Sequence, residues 1–313
     1  MSEIREIDRK EFAPGYLKLG KSEWRLRIRE AFGLLAPCRL CPRECRKDRL
    51  KGETGVCKAR AAPEVSSYNL HHGEEPPLSG WKGSGAIFFT HCSLRCVFCQ
   101  NYPVSQLGHG NETDSAGLAE MMLELQEDGA HNIDLVTPSH VVPWIIEAVA
   151  LAAGQGLKIP LVYNSSGYDS LQELRLLDGI VDLYLPDMKY DDNAAARQLS
   201  NAPDYVEVNR GAVKEMQRQV GGLVLDETGI ARRGLIIRHL VLPGGLAGTE
   251  GIMQFIAGQI SRNTAVSLMR QYFPAHRAYE FPEISRRVSQ SEYLLAEQAM
   301  EKAGLNEGWR QKL

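Results

Sequence analysis

Seven cysteines in two tight groups, followed by none at all, constrain this chain more than any other feature. Four lie at 38, 41, 45 and 57 in CRLCPRECRKDRLKGETGVC, a C-x2-C-x3-C-x11-C pattern. Three lie at 92, 96 and 99 in CSLRCVFC, a C-x3-C-x2-C pattern, and more than two hundred residues follow without another. An odd total divided four and three suits thiolate-bound metal better than disulfides. The opening stretch MSEIREIDRKEFAPGYLKLG lacks the apolar run of a signal peptide, and no apolar run is long enough to span a bilayer. The chain is therefore expected in the cytoplasm, a reducing compartment where structural disulfides are rare.

Hydrophobic residues make up 43% and charged residues 24% of the 313, a balance that supports one large core or two smaller ones. The formal net charge of -3 excludes a strongly basic nucleic-acid coat or a polybasic membrane patch, so neither partner is expected.

Periodicity divides the chain into three segments. Residues 1–83 form an N-terminal arm and Cys-rich metal-binding segment, with a short helix in SEWRLRIREAFGLL. From 37 to 83 the chain is rich in Cys, Pro, Gly and charge, and its order is expected to come from a metal. Residues 84–275 alternate between strands and helices. GAIFFTHC, NIDLV, IPLVYNS, VDLYLP, GLIIRHLVLPGG and TAVSLMRQYF read as strands. TDSAGLAEMMLELQEDG, VVPWIIEAVALAAG, SLQELRLLDG, DDNAAARQLS, PDYVEVNRGAVKEMQRQVGG and GTEGIMQFIAGQIS read as helices between or after them. GLVLDETGIARRGL is expected to turn back at Glu227-Thr228-Gly229. Residues 276–313 form a C-terminal extension. The predicted class is α/β, with a parallel sheet and outer helices. Six units, where eight close a full barrel, predict an open (βα)6 partial TIM-like barrel.

In such a sheet, active groups gather where the strands end. Cys92, Cys96 and Cys99 leave the first core strand at that edge. Three thiolates fall one short of a structural zinc site, which His91 can complete. An iron–sulfur cluster held by three cysteines instead leaves one iron open to a small molecule. C-x3-C-x2-C with Phe98 before the last cysteine, after the first strand of six βα units, resembles the radical S-adenosylmethionine (SAM) signature. The resemblance runs from about Gly85 to Gln271. CVFCQNYPVSQ, DLYLPDMKY and RHLVLPGG are most similar to the glycyl-radical-enzyme activases, and among them to PflX-like homologues of pyruvate formate-lyase activating enzyme.

This resemblance implies that Cys92, Cys96 and Cys99 hold a 4Fe–4S cluster whose open iron binds SAM, and that Phe98 lies against the adenine. It also implies SAM contacts from Asn164, Ser165 and Ser166 in YNSSGY, from Asp187 and Lys189 in the Asp-Met-Lys turn, and from Arg238. Gln271 and Tyr272 are further candidates at the end of the sixth strand. Where the family has Gly-Gly-Glu after the second strand, this chain has Thr137-Pro138-Ser139-His140, which supplies hydroxyls and an imidazole but no carboxylate. The implied activity is reductive cleavage of SAM and hydrogen-atom abstraction, fed by a reduced flavodoxin- or ferredoxin-type donor. The substrate is either glycine in a partner protein or a peptide or small metabolite modified directly.

Cys38, Cys41, Cys45 and Cys57 match a complete zinc site and equally a saturated auxiliary iron–sulfur cluster. Arg39, Arg43, Arg46, Lys47, Arg49 and Lys51 around them read as a solvated basic face. His71-His72 is an unassigned loop pair. Outside enzyme chemistry, the remaining reading is a non-catalytic scaffold with zinc at both cysteine groups.

Overall fold

The computed structural model of the chain describes residues 5–8 and 12–311. The remaining positions of the N-terminal arm and the last two residues lie outside the described residues. The strands are β1 (Arg5–Ile7), β2 (Glu64–His71), β3 (Ser84–Phe89), β4 (Asn111–Glu112), β5 (Ile133–Val136), β6 (Leu161–Ser165), β7 (Leu183–Pro186), β8 (Val224–Asp226), β9 (Ala231–Leu240), β10 (Ala265–Met269) and β11 (Gly308–Arg310). The helices are α1 (Lys21–Gly33), α2 (Pro76–Ser79), α3 (Tyr102–Ser105), α4 (Ser115–Glu127), α5 (Val142–Gly154), α6 (Leu171–Leu177), α7 (Asn193–Ser200), α8 (Tyr205–Val220), α9 (Thr249–Phe255) and α10 (Gln290–Lys302).

The helix starts follow their sequence signals. The Asp114 carboxylate accepts from the Gly117 N–H at 2.8 Å and opens α4, and Asp192 does the same for α7 through Ala195 N–H at 2.9 Å. Leu118, Met122 and Leu125 form the buried stripe of α4. β6 and β7 are buried along their whole length, as strands covered on both faces must be.

β3, β5, β6, β7, β9 and β10 pair side by side in chain order, every neighbour parallel. This matches the six expected strands. The expected turn at Glu227-Thr228-Gly229 also forms, joining antiparallel β8 and β9. Gly234 lies where β9 leaves β8 and meets β7, at φ +128°; a Cβ there would sit 2.5 Å from the Leu223 Cα, so only glycine fits.

Several elements lie beyond the expected set. β2 runs antiparallel along β3 and carries β4 on its other side. β11 runs parallel to β10. The sheet thus draws strands from all three sequence segments. The sheet branches at β9, toward β8 and β1 on one side and β10 and β11 on the other, and among the described residues β4 and β11 are not paired to each other. The sixth strand stops at Met269, short of Gln271 and Tyr272. Among the described residues no helix is long and apolar enough to cross a membrane.

Between β2 and β3 the chain passes under the sheet. Leu78 of α2, fully buried, clusters with Val162, Leu183, Leu185, Ile236 and Ala265 from the core strands. Asn132, just ahead of β5, fixes the turn by donating to the Leu78 carbonyl at 2.9 Å. Val162, Leu183 and Ala265 sit at or beside the starts of their strands, so this cluster forms an apolar floor at the amino ends. Leu78→Ala is expected to destabilise the fold by about 2–5 kcal/mol, read as a lower urea midpoint with unchanged slope.

Candidate active site

At the opposite end the strands open into a cavity of about 640 Å³. Cys92, Cys96 and Cys99 line it, together with Asn164, Ser165, Ser166, Asp187, Lys189, Arg238 and Gln271. Phe98 stands outside that wall, buried edge-on to Tyr272 with ring centroids 5.8 Å apart. Tyr272 is likewise turned inward, its hydroxyl donating to the Ile284 carbonyl at 2.6 Å.

The loop bearing the three thiols is stitched to α7. Arg95 and Val97 donate backbone N–H bonds to the Ser200 and Leu199 carbonyls at 3.1 and 2.8 Å. Two sulfurs have hydroxyl neighbours: Ser200 Oγ donates to Cys96 Sγ at 2.9 Å, and Ser105 Oγ lies 3.0 Å from Cys99 Sγ. Burial pushes the Cys92 thiol up to about 12 and Cys96 up to about 11, against the opposing pull of the Lys189 ammonium. Their thiolate forms therefore need a stronger positive centre than Lys189 alone. All seven cysteines are free thiols. Among the described residues, no three His, Cys, Asp or Glu side chains are gathered closely enough to hold a metal ion as they stand. His91 is committed elsewhere, its Nε2 3.2 Å from a Glu64 carboxylate oxygen.

Asp187 organises the facing wall. Its carboxylate meets Lys189 Nζ at 2.5 Å and Arg238 Nε at 3.1 Å. Burial alone would raise Asp187, but Arg238 and Lys189 together hold it below the usual carboxylate value. Burial would lower Lys189, and Asp187 reverses that shift too. Arg238 also donates to Asn164 Oδ1 at 2.7 Å, joining β6, β7 and β9 in one network. Gly167, at φ +68°, lets YNSSGY pass close to this network; a Cβ there would lie 2.3 Å from the Asp187 carbonyl.

The segment Thr137-Pro138-Ser139-His140 after β5 divides. Thr137 reaches the cavity wall and sits at φ +61°, a costly backbone conformation for a β-branched residue. Ser139 is turned into the core on Asp169 at 2.5 Å. His140 is buried with Nε2 2.7 Å from the Thr90 carbonyl oxygen.

Sequence reasoning did not single out Glu74 and Glu75, which enter the cavity from the loop after β2 beside His71. Glu74 Oε2 lies 3.5 Å from Arg238 Nη1. The only sequence signal was the doubled carboxylate in HHGEEPP.

Cys38, Cys41, Cys45 and Cys57 form a separate group. Burial pushes Cys38 and Cys41 up, and each also feels the charge of other cysteines in the group. Glu44, Arg46 and Lys58, each adjacent to one of these cysteines, take positive φ angles of 37°, 55° and 68°. The basic face is only partly solvated. Arg49 is buried, donating to the His140 and Arg60 carbonyls at 2.7 and 2.9 Å. Arg43 reaches the Ser93 carbonyl at 2.9 Å.

No model of a described protein family matches the chain. It is 30% identical over 289 residues to the uncharacterized protein MJ0674 of Methanocaldococcus jannaschii, covering 90% of this chain and 79% of that one. Among solved structures, Streptococcus suis SuiB bound to precursor peptide SuiA is similar at a TM-score of 0.46 and 12% identity, over 70% of this chain and 46% of that one. HydG, a maturase of the FeFe-hydrogenase, gives 0.45 and 12%, over 69% and 48%. The cobalamin-dependent S-adenosylmethionine radical enzyme OxsB gives 0.37 and 12%, over 66% and 29%. The chain thus spans less than half the length of each of these three structures, and at these TM-scores the likeness carries no inference about activity.

His239, next to Arg238 on β9, is fully buried between the Met188 carbonyl at 2.7 Å and Thr249 Oγ1 at 2.9 Å. Burial holds its pKa down to about 4, against about 6.5 in an unfolded chain. Between those values the unfolded chain binds a proton that the folded one refuses, so stability falls as pH drops through that window. His239→Gln, which does not titrate, is expected to recover on the order of 3 kcal/mol of the acid loss near pH 4. Urea midpoints measured from pH 7 to pH 4 test this.

Proposed function

We propose that this chain, which belongs to the family of that Methanocaldococcus jannaschii protein, is a radical SAM enzyme on an open, partial (βα)6 barrel. Cys92, Cys96 and Cys99 are its 4Fe–4S ligands. The observation that carries the reading is the sharing of one buried cavity by these three thiols with Asn164, Asp187, Lys189 and Arg238, while His91 is held away by Glu64. The donor set fits the cluster: three soft sulfur ligands on one loop, two with hydroxyl neighbours that tune a cluster's potential.

When bound, the cluster supplies the electron that cleaves SAM to methionine and a 5′-deoxyadenosyl radical, which takes a hydrogen atom from the substrate. The protein's own side chains bind and orient. The Lys189 ammonium, held charged by Asp187, suits the SAM carboxylate. Asp187 and Asn164 offer acceptors for its hydroxyls, and Ser165 and Ser166 border the same wall. The covered floor under α2 limits water behind the reacting groups. Within the class, the motifs favour a PflX-like activase acting on glycine in a partner protein in the cytoplasm, with a reduced flavodoxin- or ferredoxin-type donor. Direct modification of a peptide or small metabolite is the second reading. Cys38, Cys41, Cys45 and Cys57 hold zinc or an auxiliary cluster in either case.

Anaerobically reconstituted protein given dithionite and SAM is expected to form 5′-deoxyadenosine, and Cys96→Ala to lose both that product and cluster iron. X-ray absorption at the iron and zinc edges identifies the N-terminal metal in the same sample. Zinc at both thiol groups with no SAM cleavage would sink the reading in favour of a scaffold.

A further inference from the structure

Three carboxylates, Glu74, Glu75 and Asp187, line the cavity with Lys189, Arg238 and Arg310, but they are not paired one to one. Asp187 is taken by Lys189 and Arg238. Glu74 shares Arg238 at 3.5 Å. Arg310 lies 3.8 Å from the exposed Glu301, with its Nε buried and without a hydrogen-bond partner. Glu75 is left over. It is 8% exposed, lines the cavity, and its Oε2 is buried without a hydrogen-bond partner. Beside it Asp134, fully buried on β5, has Oδ1 equally unpartnered, and only its Oδ2 is engaged, by Asn164 Nδ2 at 3.2 Å. Burial, and then the charge of Glu74, drive Asp134 well above the usual carboxylate range, with Glu75 adding to the shift.

A buried carboxylate oxygen without a hydrogen bond keeps an uncompensated desolvation cost. Glu75 presents such an oxygen to the cavity, with a second on Asp134 behind it, a local rule broken of the kind that marks a binding site. The backbone makes the arrangement rigid. Pro76 follows Glu75 and confines it to an extended conformation, and the Glu75 carbonyl accepts from the Leu78 and Ser79 N–H groups at 2.8 and 3.1 Å. The side chain is thus held against the cavity with little freedom to swing out to water.

The thiols and the glutamates have different charged neighbours. Lys189 is the cation that acts on Cys92 and Cys96, whereas Glu74 is grouped with Arg238, Glu75 and His71. The Lys189–Asp187–Arg238 bridge stands between them.

We propose that the substrate of this site carries a protonated amine, and that Glu75, flanked by Glu74, is the seat of that ammonium. The proposal rests on the reading that the thiol side of the cavity takes SAM. It names the chemical class of the second ligand: an alkylammonium group, as on a lysine side chain or a small amine, and not an anion.

The test uses ligand-observed NMR on the reconstituted full chain, with and without SAM, titrated with n-butylammonium, n-butanol and butyrate. Butylammonium is expected to bind at least tenfold more tightly than either isostere. Glu75→Gln is expected to abolish that preference, and Glu75→Asp to restore part of it. Equal binding of the three probes by the wild type would overturn the proposal, as would a preference that survives in Glu75→Gln. If Glu75→Gln instead weakened SAM tenfold and left butylammonium unchanged, the seat would belong to SAM and the proposal would fall. Absence of 5′-deoxyadenosine from the wild type would defeat the radical SAM reading separately, because the amine preference is also read without SAM.

Discussion

The Asp187 carboxylate is the contact on which the cavity depends. β7 and β9 pair regularly only at Leu183–Gly234 and Tyr184–Leu235, then meet again at the isolated bridge between Asp187 and Arg238. Pro186 marks the change, since it has no N–H to continue the ladder. Beyond it the Asp-Met-Lys turn is bound to β9 on two sides: Met188 N–H donates to the Arg238 carbonyl at 2.8 Å, and the His239 ring meets the Met188 carbonyl at 2.7 Å. The turn thereby sets Lys189 and Arg238 on one carboxylate. Three charges in so enclosed a place are tolerable only when mutually paired. Loss of Asp187 would leave two buried cations uncompensated, a larger penalty than the pair's net contribution.

The same network explains how two chemically different halves coexist in one cavity. Positive charge is drawn toward the thiols through Lys189, and the carboxylates Glu74 and Glu75 lie on the far side, next to Asp134, which burial raises well above the usual carboxylate range. Without the Asp187 carboxylate, Lys189 and Arg238 would lose the counter-ion they share. Asp187 keeps the polarity from collapsing. Asn164 extends the hold to β6, accepting from Arg238 while donating to Asp134, so the two halves are fixed by one continuous set of hydrogen bonds.

Six core strands and the helices between them could be read from the sequence because each carried its own local signal. Apolar runs bounded by Gly, as at GLIIRHLVLPGG, and caps such as Asp114 and Asp192 are decided within a few residues. β2 was not readable in that way. EVSSYNLH is largely polar, with Ser67, Tyr68 and Asn69 exposed in succession and no alternation, and it becomes a strand because β3 lies beside it. α10 did carry a signal, the capping box of Ser289 and Glu292, in a stretch where no core strand drew attention to it. The thiols and the Asp-Met-Lys turn were readable because motif spacing specifies them. Glu74 and Glu75 were not, since two adjacent carboxylates have no periodicity, and their place inside the cavity follows from β2 pairing and α2 turning beneath the sheet.

The N-terminal thiol segment illustrates the same limit and links back to the site. Its arginines read as a solvated face, yet tertiary contact reassigns two of them. Arg49 is enclosed against Trp144, 5.3 Å from the ring centroid, and ties the segment to the His140 carbonyl. Arg43 lies over Tyr168 and donates to the Ser93 carbonyl, inside the loop of Cys92 and Cys96. Ser170, at the start of α6, donates in turn to the Leu40 carbonyl at 2.8 Å. The two cysteine groups are therefore joined by short, directional bonds through arginine and backbone. Residues at positive φ beside Cys45 and Cys57 hold the first group in a backbone conformation that costs free energy. Ordering that segment positions Arg43, and Arg43 restrains the loop that bears the second group. The Cys-rich segment is thus part of the support of the cavity wall that carries Cys92 and Cys96.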